Sequence, residues 1–242
     1  MEQFISKLYG GIAMFDGIDV SQWQGKINWE KVSVDFAIIR AGYGRLSSQK
    51  DTQFDDNYIG CRIAGIPCGA YWFAYAVTPD EARLEAEACL EVIKDKKFEY
   101  PIYYDVEDQR ILSLGKSAIS AIIRAFLDTM EKSGYFVGLY MSADDLKEYA
   151  DEDIRARYAV WIADYGVSSP DYSGNYGMWQ RSSTGRVEGI DGDVDLDKAF
   201  ENYPEIIRSA GLNGYGKDED PDRKHRLTVL IDGKVIVKNY EF

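Results

Sequence analysis

The sequence predicts an α/β protein: an irregular TIM-like β/α barrel with fewer helices in its second half and a small C-terminal β-hairpin extension. Three observations lead there. Short, nearly continuous apolar segments alternate with helical patterns from Phe15 to about Phe200. Strands that are apolar on both faces and joined by helices belong to parallel sheets, and this many such units suggest closure into a barrel. The later strand segments follow one another with little helical sequence between them, so the second half should depart from a regular eightfold pattern.

The first strand is expected over Asp16–Trp23 (DGIDVSQW) and the second over Asp35–Tyr43 (DFAIIRAGY). Phe54–Ala64 reads as a helix, with Phe54, Tyr58 and Cys61 on one side and Gly65 as its stop. Pro67–Ala76 (PCGAYWFAYA) is the third strand segment. Thr78-Pro79-Asp80-Glu81 then starts a helix, with Thr78 at N-cap, Pro79 at N1 and Glu81 at N3. Ala82, Ala86, Cys89 and Ile93 repeat behind it at helical spacing. Tyr100–Glu107 (YPIYYDVE) is the next strand. An amphipathic helix follows, with Ile119, Ile122, Ile123, Phe126, Leu127 and Met130 in one stripe and Gly134 closing it. Phe136–Met141, Ala159–Ala163 and Tyr176–Gln180 complete the strand segments.

After Phe200 the composition changes. Residues 15–205 are assigned to the barrel, 206–226 to a linker that includes the Gly-rich and charged stretch GLNGYGKDEDPDRK, and 227–242 to the hairpin extension. Leu227–Tyr240 places Asp232-Gly233 between two apolar runs, a hairpin signal. Such a hairpin is marginal alone, so it packs on the barrel or begins a further module. Residues 1–14 form an N-terminal extension. They lack the charged start and uninterrupted apolar run of a signal peptide, so release by lysis, or a form lacking its leader, is expected for a protein acting outside the cell. No stretch approaches the roughly 18 apolar residues of a membrane span.

Composition narrows the chemistry. The 242 residues carry 28 Lys+Arg against 41 Asp+Glu, a net charge of −13, with a single histidine, His225. One histidine excludes a His-rich metal site and leaves hydrolase triads dependent on that residue. The acidic excess argues against nucleic acid as partner. Cys61, Cys68 and Cys89 include no C-x-x-C pair, and Cys61 and Cys89 fall on apolar helix positions, so buried free thiols are expected.

Carboxylates and aromatics remain. In Asp105-Val106-Glu107 the two acids are two residues apart and share one face of a strand, where burial in a barrel mouth is costly for their charged forms. Two acids so placed raise each other's pKa, giving a proton donor and an ionised partner, as glycosidic cleavage requires. The bland alternative is a salt-bridged strand end, with Arg110 as the nearest cation. Asp19 sits between Ile18 and Val20, an unusual place for an acid. The run Gly189–Asp197 (GIDGDVDLD) spaces four acids at period two. Asp191, Asp193 and Asp195 match the start of a calcium loop, but Leu196 replaces its glycine and Asn202 its bidentate glutamate. Tyr71, Trp72, Phe73, Tyr75, Tyr103, Tyr104, Trp161, Tyr165 and Trp179 crowd the strand segments, as core or as sugar-stacking surfaces.

In this order, FDGIDVSQWQGKINW, FAIIRAGYG, GAYWFAYA, YPIYYDVED, VGLYMS, VWIADYG and MWQRSSTGRVEGIDGDVDLD resemble the glycoside hydrolase family 25 lysozymes, which are N-acetylmuramidases of bacteria, fungi and phages. The resemblance spans about residues 15–200. It implies Glu107 as general acid and Asp105 as nucleophile or as the group orienting the substrate's N-acetyl. Asp19 and Asp195 complete the catalytic set, and Tyr71, Tyr75, Trp161, Tyr165 and Gln180 line a groove. It further implies cleavage of the β-1,4 bond between N-acetylmuramic acid and N-acetylglucosamine with retention. Peptidoglycan glycan strands would be the partner of a monomer that needs no metal or cofactor, binds no nucleic acid and does not insert in membranes. A catalytically silent glycan-binding barrel and a chitinase-like hydrolase are the rival readings. The complete acid set speaks against the first, and the absence of a longer D-x-x-D-x-D-x-E run against the second.

Overall fold

Alternation of strand and helix closes the chain on itself. In the computed structural model, which describes residues 14–216 and the backbone of 226–231 and 234–239, eight strands form a closed barrel. They are β1 (Phe15–Val20), β2 (Phe36–Tyr43), β3 (Cys68–Phe73), β4 (Ile102–Asp105), β5 (Val137–Ser142), β6 (Ala159–Ala163), β7 (Met178–Gly185) and β8 (Val194–Ala199). From β1 to β7 neighbours run parallel. Strand β8 closes the barrel antiparallel to both β7 and β1. The sequence patterns identified seven of these strands; β8 was visible only as the period-two acids.

The helices are α1 (Phe54–Ala64), α2 (Pro79–Ile93), α3 (Gln109–Leu112), α4 (Lys116–Lys132), α5 (Ala143–Tyr149), α6 (Glu152–Arg157) and α7 (Tyr203–Ala210). Among the described residues none lies between β6 and β7 or between β7 and β8, which is the expected thinning of the second half. Local signals act as the sequence suggests. The Thr78 hydroxyl accepts from the Glu81 N–H at 3.3 Å, and Gly65 ends α1 at φ 70°. The α4 stripe from Ile119 to Met130 is buried. Cys61, Cys68 and Cys89 are buried free thiols. No helix among the described residues is long and apolar enough to cross a membrane.

Two apolar layers result. Ala37, Ile39 and Ala41 of β2 face the helices, whereas Phe36 and Ile38 face the interior with Tyr103, Tyr140, Trp161 and Met178. Glycine makes room for those rings: a Cβ on Gly138 would sit 2.4 Å from Tyr103, and one on Gly17 2.4 Å from Phe36. Tyr203 and Ile207 of α7 join this interior cluster alongside Tyr100.

The span assigned to a linker from residue 206 begins inside α7, and the packed chain continues to Tyr215. Asn213 is the reason. Fully buried, it accepts from the Phe136 N–H at 2.7 Å, donates to the Tyr100 carbonyl at 2.9 Å, and donates its own N–H to the Gly134 carbonyl at 3.1 Å. Beyond residue 216 the structure describes an antiparallel pair, β9 (Arg226–Ile231) with β10 (Lys234–Asn239). Its Asp232-Gly233 turn, His225 and the N-terminal residues 1–13 lie outside the described residues.

Candidate active site

Side chains at the C-terminal ends of the parallel strands converge on a cavity of about 180 Å³. Reversal of β8 adds its first residues to the same end: Asp195 pairs with Asp19 across the β1–β8 ladder. The cavity walls are Asp19, Asp105, Glu107 and Asp195 with Tyr71, Tyr140, Trp161, Tyr165 and Gln180. The four acids singled out in the sequence therefore meet in one place.

Strand β4 ends at Asp105, earlier than the predicted Glu107. The extended backbone nevertheless continues one step, because the Val106 N–H donates to the Tyr140 carbonyl at 3.1 Å. Glu107 thus keeps the facing of Asp105 while standing further out. Asp105 is 5% exposed and one of its oxygens is buried without a partner. The salt-bridge alternative does not hold: Arg110 grips Asp108 through both carboxylate oxygens at 2.8 Å. Among the described residues neither Asp105 nor Glu107 is in an ion pair.

Burial pushes the Asp105 carboxyl well above the usual range; Glu107 adds to the rise and Arg40 opposes it. Glu107 is also raised, by desolvation first and then by Asp195, Asp145 and Asp108. Burial lifts Asp195 to about 6. Asp19 is raised well above its ordinary value by burial and by the neighbouring Asp197 and Asp195. A cluster of this kind holds protons more tightly than isolated carboxyls do, because each added charge in a poorly solvated site repels the rest.

The uncharged walls hold the acids in place. Gln180 donates to Asp19 at 2.6 Å and accepts from the hydroxyls of Tyr140, at 2.7 Å, and Tyr165, at 2.5 Å. Trp161 is buried as the floor: its ring lies 4.5 Å from Tyr140 and 5.1 Å from Tyr103, and its indole N–H donates to Asp197 at 2.9 Å. Tyr71 meets Trp161 edge-on at 6.1 Å.

Tyr75 stands apart from the other groove candidates. Strand β3 stops at Phe73, and the Tyr75 N–H is drawn outward to Glu85 at 2.9 Å. Its ring therefore lies on the rim, against Phe73 at 5.1 Å and beneath the Arg110 guanidinium at 4.9 Å, and does not line the cavity.

Tyr140 and Asp197 were not singled out in the sequence. Tyr140 sits in the uniformly apolar FVGLYM, which gives no local sign of a polar role. Asp197 belongs to the period-two acids, whose alternation was the available signal; burial pushes it up to about 8.

Known proteins match this chain over the barrel. The profile of Glycosyl hydrolases family 25 matches residues 18–190. The autolytic lysozyme of Clostridium acetobutylicum is 31% identical over 190 residues, covering 76% of this chain and 56% of that protein. The modular autolysin LytC from Streptococcus pneumoniae, solved with a synthetic peptidoglycan ligand, superposes with a TM-score of 0.69 at 30% identity, covering 76% of this chain and 46% of that one. The bacterial lysozyme from Streptomyces coelicolor gives a TM-score of 0.69 at 28% identity, covering 81% of this chain and 96% of that one. This chain thus spans about half the length of the clostridial and pneumococcal relatives.

Proposed function

This chain belongs to glycosyl hydrolases family 25, and we propose that it is a lysozyme that hydrolyses the β-1,4 bond between N-acetylmuramic acid and N-acetylglucosamine in peptidoglycan. One observation carries the reading: Asp105 and Glu107 face one cleft, and Arg110, the cation nearest in sequence, is committed to Asp108. In this reading Glu107, the outer acid, protonates the glycosidic oxygen. Asp105, deeper in the same cleft, accepts the substrate's N-acetyl N–H and aims the acetamido carbonyl oxygen at the anomeric carbon. That oxygen displaces the leaving sugar, and Glu107, now ionised, deprotonates the water that opens the cyclic intermediate. Two displacements at one carbon retain configuration. Two acids on one strand end support assistance by the substrate over a pair flanking the bond.

Asp19 and Asp195 complete the acid set, and Tyr71, Trp161, Tyr165 and Gln180 shape the groove. The partner is the glycan strand of the wall, met outside the producing cell by a monomer. Mass spectrometry of digested peptidoglycan tests this directly. Muropeptides ending in reducing N-acetylmuramic acid are expected, with de-N-acetylated wall resistant. Products ending in N-acetylglucosamine, or equal digestion of both walls, would overturn it. Glu107→Gln is expected to lose about 100-fold or more in turnover while remaining folded, the usual scale of general acid catalysis.

A further inference from the structure

We propose that Arg110, seated on the Tyr75 ring, is a carboxylate-binding subsite on the rim beside Glu107, and that it takes a carboxylate of the peptide stem carried by the substrate's muramic acid. The inference rests on the glycosidase reading above and names a part of the wall, beyond the glycan, that the chain holds.

Strands β3 and β4 bring the parts together. Phe73 pairs with Asp105, and the ladder runs one step further, because the Ala74 N–H donates to the Asp105 carbonyl at 2.9 Å. Tyr75 thus leaves the end of β3 where Glu107 leaves the end of β4, and Arg110 follows in the first turn of α3. Its guanidinium is held on two sides. Nε and Nη2 donate to the two oxygens of Asp108 at 2.8 Å, and the guanidinium carbon lies 4.9 Å from the centre of the Tyr75 ring. Nη1 has no partner among the described residues, and the side chain is 67% exposed. The ring is fixed as well. It meets Phe73 at 5.1 Å and Tyr43 at 5.8 Å, both edge-on. The Tyr75 N–H is held by Glu85, a fully buried acid that also accepts the Tyr104 hydroxyl at 2.6 Å. Two residues on, the Val77 N–H donates to Glu81 at 2.9 Å.

Stability gives little reason for this arrangement, since an exposed ion pair contributes little and fixing an arginine loses rotamer freedom. What the clamp provides is direction. A guanidinium presents two edges to carboxylates; Asp108 takes the edge of Nε and Nη2, and the edge bearing Nη1 is left. Because Asp108 and Tyr75 set its orientation beforehand, a ligand at that edge orders nothing further. The substrate supplies the anion. In the reading above the scissile bond lies at Glu107 and joins muramic acid to the next sugar. Muramic acid carries the stem peptide on its lactyl ether, several bonds away from the ring. The cleft is walled by Asp19, Asp105, Glu107 and Asp195, so it repels stem carboxylates, whereas the rim beside Glu107 meets them with a positioned N–H donor. Asp108 balances the guanidinium charge, which makes the contact a charge-assisted hydrogen bond of modest strength.

Isothermal titration calorimetry on the Glu107→Gln chain reads binding apart from cleavage. The probes are two soluble peptidoglycan tetrasaccharides of equal length, one with free stem carboxylates and one with those carboxylates converted to carboxamides. The carboxylate form is expected to bind about fivefold tighter at low salt, the upper end for an exposed charge pair. Adding Arg110→Met should bring the two compounds within about twofold, and Arg110→Lys, which lacks the fork, should keep only part of the preference. Tyr75→Leu removes the ring without touching the ion pair and should halve the preference or more. If Arg110→Met does not fold, Tyr75→Leu decides alone. Equal affinity for the two compounds in Glu107→Gln, binding of neither, or a preference that survives these substitutions would overturn the proposal. Calorimetry does not depend on turnover. If the preference appears and is lost with Arg110 while the wild-type chain leaves peptidoglycan uncut, the bond assignment fails and the subsite stands.

Discussion

Gln180 donates through Nε2 to Asp19 at 2.6 Å and so ties the last parallel strand, β7, to the first, β1, across the seam that β8 fills. Its carbonyl oxygen receives the Tyr140 and Tyr165 hydroxyls, so one buried amide holds three other wall residues of the cavity. Gln180→Leu, similar in size, leaves Asp19 without its donor and buried Tyr140 without its acceptor. Each buried group stranded this way costs about 1–3 kcal/mol. A loss of at least about 2 kcal/mol in urea denaturation is expected, together with a fall in turnover. Unchanged stability would mean that water replaces the amide and that the cavity is wetter than its packing implies.

The acids set the direction of the pH dependence of stability. Asp197 is lifted to about 8, Asp195 to about 6 and Glu85 to about 7, each chiefly by burial. A carboxyl whose folded-state pKa is raised binds a proton in the native state that the unfolded chain has already released. Stability is therefore full below about pH 4 and is lost as pH rises through about 6 to 8. Each titrating group contributes at most about 1.4 kcal/mol per pH unit. Glu99 works oppositely: despite its burial, Tyr215 and Arg62 hold it below the ordinary range, and its contribution fades in acid. A Tm that falls from pH 5 to pH 8 is expected. Asp197→Asn keeps an oxygen for the Trp161 N–H and should flatten that slope; an equal slope in wild type and variant would remove Asp197 from the account.

Much of the barrel could be read because its strands are apolar on both faces and its helices carry caps, as at Thr78 and Gly65. Asp105, Glu107 and Asp19 were visible for a related reason: an acid among Ile, Val and Tyr in a strand contradicts the local pattern. Strand β8 was hidden by the same logic inverted. In VDLDKA the two acids point inward while Val194 and Leu196 point outward, so the segment looks like a charged loop. Tyr75 was placed in the groove by the family resemblance, but the strand stops at Phe73, and beyond it the chain carries the ring to the rim.

Surface charge makes a kinetic prediction. At −13 the chain carries the same sign as the peptide carboxylates of peptidoglycan, and repulsion between them is screened over about 8 Å at physiological ionic strength against about 30 Å at 0.01 M. Turbidity clearing of isolated walls should therefore quicken between about 10 and 150 mM salt. A steady fall over that range would show that local positive charge, and not the net charge, governs the encounter.

The last prediction concerns where the barrel ends. Asn213, at φ 54°, uses its amide to close two strand starts: the carbonyl of Tyr100 before β4 and the N–H of Phe136 before β5. Its backbone carbonyl also accepts from the Phe98 N–H at 3.2 Å. Asn213→Ala preserves the backbone bonds but strands one carbonyl and one N–H in a fully buried place. It also puts alanine at a positive φ that asparagine tolerates better. A loss of about 2–4 kcal/mol is expected, against a smaller change for Asn202→Ala at the exposed N-cap of α7. Truncation separates the two possible ends of the barrel. A chain ending at 205 loses Ile207, Leu212 and Asn213 from the barrel floor and should not fold cooperatively, whereas one ending at 216 should. Cooperative unfolding of the shorter chain would place the boundary back at 205 and reduce Asn213 to a local clasp.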